Sequence, residues 1–167
     1  PQVVGDDAKI RIDAYCTGEV EFEITDGNEV VAKAKADGKN PSVNLEIKDV
    51  HLWNGTLDPF LYTASAKLIS NGEAVDEVKT RFGCRTFEID PNKGFILNGK
   101  LYPLRGVSRH QDRPHIGNAL LPEHHKEDMD LICEMGANTI RLAHYQHAQY
   151  FYDLCDERGM VVWAEIP

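Results

Sequence analysis

The sequence has few cysteines and no paired cysteine motif. Only 4 of its 167 residues are cysteine, and no two of them have the CxxC spacing that is typical of zinc and redox sites. A chain of this length can bury a core without disulfide bonds, so we interpret all four as thiols. Cys133 and Cys155 fall in predicted helices, where we expect them to pack as small apolar side chains. Cys16 and Cys84 fall in the strand-rich half of the chain.

Basic charge and long apolar runs are also scarce. The chain has 18 Lys and Arg against 27 Asp and Glu, a net charge of −9, and the basic residues form no stripe that could follow a phosphate backbone. No apolar run approaches the roughly 20 residues of a membrane helix. We therefore expect neither nucleic acid nor a membrane as a partner.

The chain begins with Pro1 and Gln2, which resemble neither an initiator methionine nor a signal peptide. We therefore expect this beginning to be a processed end or the edge of a longer protein. Nothing in the sequence assigns a cellular compartment.

The first half of the chain has the periodicity of β-strands. Apolar and polar residues alternate over 9–15 and 19–25, and a turn around Gly27 joins the second run to a third over 29–35, as in a hairpin. Further strands are predicted at 42–47, 61–69 and 74–89. Six or seven short strands predict an immunoglobulin-like β-sandwich over residues 1–90.

After residue 90, strand-like runs alternate with helical stretches. Strands are predicted at 104–108, 139–143 and 160–164, and helices at 122–135 and 148–158. The first helix begins at Pro122, and Gly136 and Gly159 follow the two helices, in agreement with helix start and stop chemistry. This order predicts a parallel sheet. Periodicity alone leaves a doubly wound sheet and a (β/α)₈ barrel open, although no GxGxxG follows the first strand, which disfavours a dinucleotide fold.

A long run in the second half resembles glycoside hydrolase family 2, the β-galactosidase family. The run begins with Asn138-Thr139-Ile140-Arg141-Leu142-Ala143-His144-Tyr145 and continues through Phe151-Tyr152, Asp156 and Gly159 to Met160-Val161-Val162-Trp163. Residues 94–100 and 104–110 resemble the start of the family's barrel, and 51–54 and 81–85 resemble the end of the preceding sandwich. The chain departs from the family pattern at Gln146, where members usually have proline, and at Leu142.

The resemblance implies an immunoglobulin-like β-sandwich over 1–90. Residues 91–167 would then be the first βα units of a (β/α)₈ TIM barrel, ending in or after its third strand. The implied enzyme is a retaining exo-β-glycosidase that cleaves terminal β-linked sugars with two glutamates, an acid/base and a nucleophile. Both glutamates are expected beyond this chain, so we assign no catalytic residue within it and expect this piece alone to be inactive.

The sugar and the class of protein have alternatives. The resemblance favours a β-galactosidase, with a β-glucuronidase or a β-mannosidase of the same family as alternatives. A rival interpretation from another class is a non-catalytic sandwich module that binds a sugar or a protein. The expected partner of the whole enzyme is a saccharide, and we expect no cofactor.

Polar residues follow the predicted strands of the second half. His110, His144 and Glu165 fall at or just past the ends of the first, second and third strands, where barrel enzymes carry their working residues. Arg141 lies inside the second strand, where we expect a buried guanidinium with a carboxylate partner. In the family the matching arginine and histidine line the sugar pocket, so the resemblance assigns substrate binding to Arg141, His144 and His110.

Three more residues are possible members of this site. Tyr145 and Trp163 could offer an aromatic face to a sugar ring, although large aromatics at strand ends more often belong to the core. Glu165 could form hydrogen bonds within the site or only cap the strand end.

Histidine pairs in the second half do not predict a metal site. His124 and His125 are expected on a helix surface, and the pair formed by His144 and His147 has no carboxylate or thiolate at ligand spacing. Asp112 and Glu165 receive no acid/base role, because sequence does not fix their separation.

Three barrel strands leave open edges, because a barrel closes only when its last strand pairs with its first. We therefore expect the piece to self-associate through the open barrel edge. We expect the sandwich to be the part that folds autonomously.

Overall fold

A computed structural model describes residues 1–166. The chain divides into two compact units. The first contains Pro1–Leu52 and Phe60–Thr86, and the second contains Trp53–Pro59 and the residues from Phe87 onwards. A short segment within the strand-rich half therefore belongs to the second unit.

The first unit is built from seven strands in two antiparallel sheets, ordered β1-β2-β5 and β4-β3-β6-β7. The strands are β1 (Gln2–Val4), β2 (Asp7–Asp13), β3 (Glu19–Asp26), β4 (Glu29–Ala36), β5 (Ser42–Ile47), β6 (Tyr62–Ser70) and β7 (Glu73–Phe82). Two antiparallel sheets around one apolar core are the arrangement that the strand pattern predicts for an immunoglobulin-like sandwich.

The core of the first unit follows from the alternation of its strands. In β3 the side chains of Val20, Phe22 and Ile24 are buried, whereas the residues between them are at least partly accessible. In the other sheet Ile10 of β2 lies opposite Leu45 of β5, and both are buried. Side chains two apart in a strand share a face, so one face of each sheet supplies the core. Full burial of one such side chain contributes about 1.5–3 kcal/mol.

The strand predicted over 74–89 is two strands in the structure. The first, β7, ends at Phe82, and β8 (Phe87–Asp90) begins after a break and belongs to the second unit. The break arises because β8 pairs with β9 (Gly94–Leu97) instead of continuing along β6. The three-residue strand β1 was not predicted, because it is too short to have a recognisable period.

The second unit contains a small antiparallel sheet and a parallel one. The antiparallel sheet has the order β10-β9-β8, with β10 formed by Lys100–Leu101. The parallel sheet has the order β11-β12-β13 and two connecting helices. Its elements are β11 (Gly106–Arg109), α1 (Pro122–Glu134), β12 (Thr139–Leu142), α2 (Gln149–Arg158) and β13 (Val161–Ala164). The predicted alternation of strands and helices is confirmed, and within residues 1–166 the three parallel strands do not form a closed barrel.

The segment Trp53–Pro59 is held by the second unit. The buried indole of Trp53 donates a hydrogen bond from Nε1 to the carbonyl oxygen of Asp156, 2.9 Å away. The backbone N–H of Thr56 donates to the hydroxyl of Tyr102 over 3.2 Å. These bonds explain why the segment packs with the parallel sheet and its helices.

Glycines end both helices, as predicted. Gly136 and Gly159 have φ values of +75° and +74°, in the left-handed region that favours glycine. At Gly159 a Cβ atom would lie 2.2 Å from the carbonyl oxygen of Gly55, so the backbones approach too closely for any side chain. At Gly136 a Cβ would meet nothing within 4 Å.

The helices bury one face of the parallel sheet. Met129 of α1, Phe151 and Cys155 of α2, and Ile140 and Leu142 of β12 share one buried cluster. Burial raises the pKa of the Cys155 thiol to about 12. The predicted apolar role of this cysteine is therefore confirmed.

The opposite face of the parallel sheet is accessible. Ser108, Arg141 and Trp163 lie side by side in the register of the three strands, and all three are exposed. Gly106 lies two residues before Ser108, and a Cβ there would be 2.2 Å from the carbonyl oxygen of Thr139, so this position requires glycine.

Neither helix of the described chain has the length and apolar character needed to cross a bilayer. All four cysteines lie within the described range and are free thiols.

Candidate functional site

A carboxylate joins two of the predicted site residues at the carboxyl ends of the parallel strands. Arg141 of β12 donates from Nε to Oε1 of Glu165, 2.7 Å away, and its Nη2 lies 2.6 Å from the same oxygen. The other oxygen, Oε2, is 3.0 Å from Nδ1 of His144. Glu165 follows β13, so two neighbouring strands meet here. The site is built where parallel strands end, as the sequence predicts.

Two further distances complete the cluster. Nη2 of Arg141 is 3.4 Å from Nδ1 of His144. The rings of His110 and His144 meet edge to face with their centres 5.1 Å apart. Arg141, His144, His110 and Glu165 therefore lie together, and we call these four residues the rim cluster. The peptide bond between Ala143 and His144 is cis.

The rim cluster holds Glu165 as an anion. The hydrogen bond from Arg141, opposed in part by burial and followed by the bond from His144, lowers the pKa of the Glu165 carboxyl below its ordinary value. A carboxyl group with a lowered pKa does not hold a proton at neutral pH, so Glu165 is not suited to act as a general acid. Its carboxylate instead accepts from two donors, Arg141 and His144.

The predicted burial of Arg141 is wrong, although a carboxylate partner was correctly expected. Its side chain is 45% exposed. Alternation along β12 places Ile140 and Leu142 against the helices and therefore places Arg141 on the accessible face.

The two aromatic residues are also accessible. Trp163 is 67% exposed on the same face as Arg141, so the core role that is commoner for such residues does not apply to it. Tyr145 is 37% exposed, and its ring lies 5.4 Å from that of His147.

Gln146, the departure from the family pattern, links the loop after β12 to the end of β13. Its Nε2 donates to the backbone oxygen of Glu165 over 2.7 Å, and its Oε1 accepts from the hydroxyl of Tyr152 at 2.8 Å. A proline at this position could make neither bond.

Sequence reasoning missed the buried arginine beneath the rim cluster. Arg109, the last residue of β11, is 5% exposed. Its Nε and Nη2 donate to Oδ2 of Asp128 over 3.0 and 2.7 Å, and its Cζ lies 3.9 Å from the ring centre of Phe151. The alternation of β11 could have indicated this burial, because it places Arg109 on the same face as the apolar Val107 and opposite to Ser108.

Two histidines accept hydrogen bonds from the same guanidinium. Nη2 of Arg109 lies 3.0 Å from Nδ1 of His125, and Nη1 lies 3.1 Å from Nδ1 of His147. A guanidinium only donates, so both Nδ1 atoms must accept and both rings must be neutral. His125 is 3% exposed, so its predicted place on the helix surface is wrong. It faces inward because it lies on the same face of α1 as the buried Met129 and Ile132.

Burial and charge oppose protonation of these two rings. Burial is the main cause that lowers the pKa of His125, and the cationic Arg109 lowers it further. Burial also lowers the pKa of His147, and Arg109 adds to this effect, although the hydrogen bond to the Ala143 carbonyl acts in the opposite direction.

Asp128 balances the charge of two arginines. Besides Arg109, it accepts at Oδ1 from Nη2 of Arg113 over 2.8 Å. Burial raises the pKa of the Asp128 carboxyl, but the hydrogen bonds from Arg113 and Arg109 together lower it below its ordinary value. Asp128 is therefore ionised at neutral pH.

No three His, Cys, Asp or Glu side chains come together as a metal site within residues 1–166. His147 uses both ring nitrogens, because Nδ1 accepts from Arg109 and Nε2 lies 3.2 Å from the carbonyl oxygen of Ala143.

Two family models match nearly the whole chain. The model for glycosyl hydrolases family 2 matches residues 3–85. The model for the TIM barrel domain of glycosyl hydrolases family 2 matches residues 88–167. The two matches divide the chain close to the boundary between its two units.

The similar proteins are named as β-glucuronidases or as β-galactosidases. A β-glucuronidase of Bacteroides fragilis is 48% identical over 161 residues, which are 90% of this chain and 23% of that protein. The crystal structure of an FMN-binding β-glucuronidase from Facaelibacterium prausnitzii L2-6 is similar with a TM-score of 0.90 and 44% identity, covering 98% of this chain and 26% of that one. A putative β-galactosidase from Bacteroides fragilis has a TM-score of 0.88 and 35% identity, covering 100% of this chain and 27% of that one.

The chain therefore spans about a quarter of the length of these relatives. Both of its halves match one family, and the similarity to solved structures extends over both. The chain belongs to glycosyl hydrolases family 2.

Proposed function

We propose that the whole protein is a retaining exo-β-glycosidase and that its preferred substrates are terminal β-D-glucuronides. The observation that carries this proposal is the rim cluster, in which exposed nitrogen donors from neighbouring strand ends are oriented by one carboxylate. Sugar hydroxyls and carboxylates are bound in this way, by a few fixed polar groups in a concave site.

The rim cluster has a donor and an acceptor left for a ligand: Nη1 of Arg141 donates, and the second ring nitrogen of His144 accepts, because Nδ1 of that ring donates to Glu165. Glu165 engages Nε and Nη2 of Arg141 and one ring nitrogen of His144. Because these bonds fix the two side chains, little side-chain entropy is lost when they bind a sugar. Trp163, exposed beside Arg141, offers an apolar face to the sugar ring.

The role of Glu165 in the proposed enzyme follows from its ionisation. A retaining glycosidase needs a carboxylic acid and a carboxylate about 5–5.5 Å apart. Glu165 is held ionised by Arg141 and His144, so it serves as an orienting anion in this proposal. The acid/base and the nucleophile are contributed by parts of the protein outside this chain.

The proposed architecture is a sandwich over 1–90 followed by the first βα units of a (β/α)₈ barrel over 91–167. The order of the parallel strands supports it, and the division of the chain lies close to the proposed boundary, after Thr86, because β8 belongs to the second unit. The accessible face with Ser108, Arg141 and Trp163 would be the inner wall of that barrel, because helices cover the other face.

The choice of glucuronide replaces the β-galactoside that the family resemblance favoured. It is supported by the two β-glucuronidases that are 48% and 44% identical to this chain. A β-galactosidase remains the second candidate, supported by the 35% identical structure of a putative β-galactosidase. The match of residues 88–167 to a barrel domain supports an enzyme over a binding module.

The whole protein tests this proposal with 4-nitrophenyl β-D-glucuronide and 4-nitrophenyl β-D-galactoside. We expect kcat/KM for the glucuronide to exceed that for the galactoside by about 100-fold or more. A site built to bind the carboxylate of the glucuronide rejects an analogue that lacks this group. The reverse order would favour the β-galactosidase. Failure to cleave any β-glycoside would overturn the proposal.

A further inference from the structure

The loop that carries His144 is held by a buried residue, Arg109. This loop, residues 143–147, joins β12 to the start of α2 and contains Tyr145 and Gln146 as well as His144. We propose that Arg109 and His147 are positioning residues that hold this loop so that His144 faces His110 and Glu165. The inference rests on the proposed glycosidase function, because it gives a role to residues that do not touch the substrate.

Two separate routes tie the loop to Arg109. In the first, the backbone N–H of Ala143 donates to the carbonyl oxygen of Arg109 over 3.0 Å. In the second, His147 bridges the Arg109 guanidinium, 3.1 Å from Nδ1, and the Ala143 carbonyl, 3.2 Å from Nε2. The two ends of the loop are therefore fixed to one residue.

The Arg109 side chain, which we call the anchor, is itself held by three residues. Asp128 of α1 accepts two hydrogen bonds from Arg109, the ring of Phe151 lies under its guanidinium, and His125 accepts a further bond. Because a fully satisfied buried polar network is rigid, these partners hold the guanidinium in one place. Arg109 also precedes His110 directly, so the same anchor fixes both histidines of the rim cluster.

The bridge requires one tautomer of His147. Because Arg109 only donates, Nδ1 of His147 must be unprotonated, and the hydrogen on Nε2 then points to the Ala143 carbonyl. The geometry of both bonds agrees with this assignment.

His125 provides a matched control. It accepts from the same guanidinium through the same ring nitrogen. Its ring contacts are with Tyr150 and Phe151 of α2. Among the described residues, none of these contacts involves the loop 143–147.

The experiment compares His147→Asn with His125→Asn in the whole protein. The amide oxygen of Asn takes the position of Nδ1, so both variants keep an acceptor for Arg109, but only His147→Asn loses the bond to Ala143. We expect kcat/KM for 4-nitrophenyl β-D-glucuronide to fall by about 10- to 100-fold in His147→Asn, because small displacements at a site cost that much. His125→Asn is expected to keep more than half of the wild-type value at a similar loss of melting temperature.

A second variant separates positioning from stability. Gln at position 147 reaches the Ala143 carbonyl with its amide N–H, so His147→Gln is expected to recover activity relative to His147→Asn. Hydrogen exchange is expected to rise in the peptide over 143–147 for His147→Asn and to stay unchanged for His125→Asn.

The outcomes of this comparison are distinct from those of the function test. If the wild-type protein cleaves no glycoside, the proposed function fails. Hydrogen exchange over 143–147 then tests by itself whether His147 holds the loop. If the wild type is active but the two Asn variants lose activity equally, with equal exchange over 143–147, the positioning role is overturned. If His147→Asn does not fold, His147→Gln is compared with the wild type instead: kept activity and kept loop protection support the inference, because this variant retains the bond to the Ala143 carbonyl, and a loss of either one would refute it.

Discussion

The carboxylate of Glu165 joins Arg141 and His144, with one oxygen 2.7 Å from Nε of the arginine and the other 3.0 Å from Nδ1 of the histidine. This link crosses from the end of β13 to β12 and to the loop after it.

Glu165→Gln removes the charge that orients the two donors. We expect kcat/KM of the whole protein to fall by at least about 10-fold, since bonds to a charged partner are about twice as strong as neutral ones. The melting temperature should change little, because glutamine has the same size and its amide oxygen can still accept from Arg141. Glu134→Gln at the exposed end of α1 is the control. Equal activity of the two variants would argue against an orienting role.

Trp163→Ala should affect substrate binding more than stability. The side chain is 67% exposed, so we expect the free energy of unfolding to change by less than about 1 kcal/mol while KM rises. Phe151→Ala, at a fully buried position under Arg109, should cost about 3–5 kcal/mol. Chemical denaturation of both variants measures the difference, and a large cost for Trp163→Ala would show that it belongs to a core.

Gly159 and Gly136 form a matched pair for a close backbone approach. Both have φ near +75°, so alanine costs about 1–2 kcal/mol at either position. Only at Gly159 would the new Cβ also lie 2.2 Å from the Gly55 carbonyl oxygen. We expect Gly159→Ala to lower the melting temperature clearly more than Gly136→Ala. Equal shifts would mean that the segment around Gly55 does not pack there.

Stability should fall at mildly acidic pH. The pKa values of His125 and His147 are lowered in the folded chain, whereas an unfolded histidine titrates at about 6.5. The unfolded state therefore binds more protons below about pH 6.5, and the stability present above that pH is lost as the pH falls towards the folded pKa values. Melting temperatures between pH 8 and pH 5 measure this loss. His125→Asn should reduce the pH slope, and an unchanged slope would contradict the neutral, buried state of the ring.

Local patterns predicted most of the fold. Alternation located the strands of the sandwich, and proline and glycine located the ends of α1 and α2. The break after Phe82 was missed because β8 pairs with a later strand, which no local pattern records. The proposed self-association through open sheet edges stays a prediction.

The site was predictable only in part. Polar residues at strand ends indicated His110, His144 and Glu165. The exposure of Arg141 had a signal in the alternation of β12, because the apolar Ile140 and Leu142 on either side of it mark the face that the helices cover. The burial of His125 had a signal in the helical period, because it lies four residues before Met129 and seven before Ile132, the buried residues of α1. Its bond to Arg109 had none, because no periodic pattern records the pairing of a helix with a strand.

Binding of the sugar by the rim cluster can be measured as kcat/KM of His144→Ala in the whole protein, with a melting curve to verify folding. We expect kcat/KM to fall on the order of 100-fold at an unchanged melting temperature, because a hydrogen bond to the bound sugar is removed from a fixed site. A loss of less than about twofold would show that His144 does not bind the sugar, because a fixed hydrogen-bonding group that contacts the sugar cannot be removed at so small a cost.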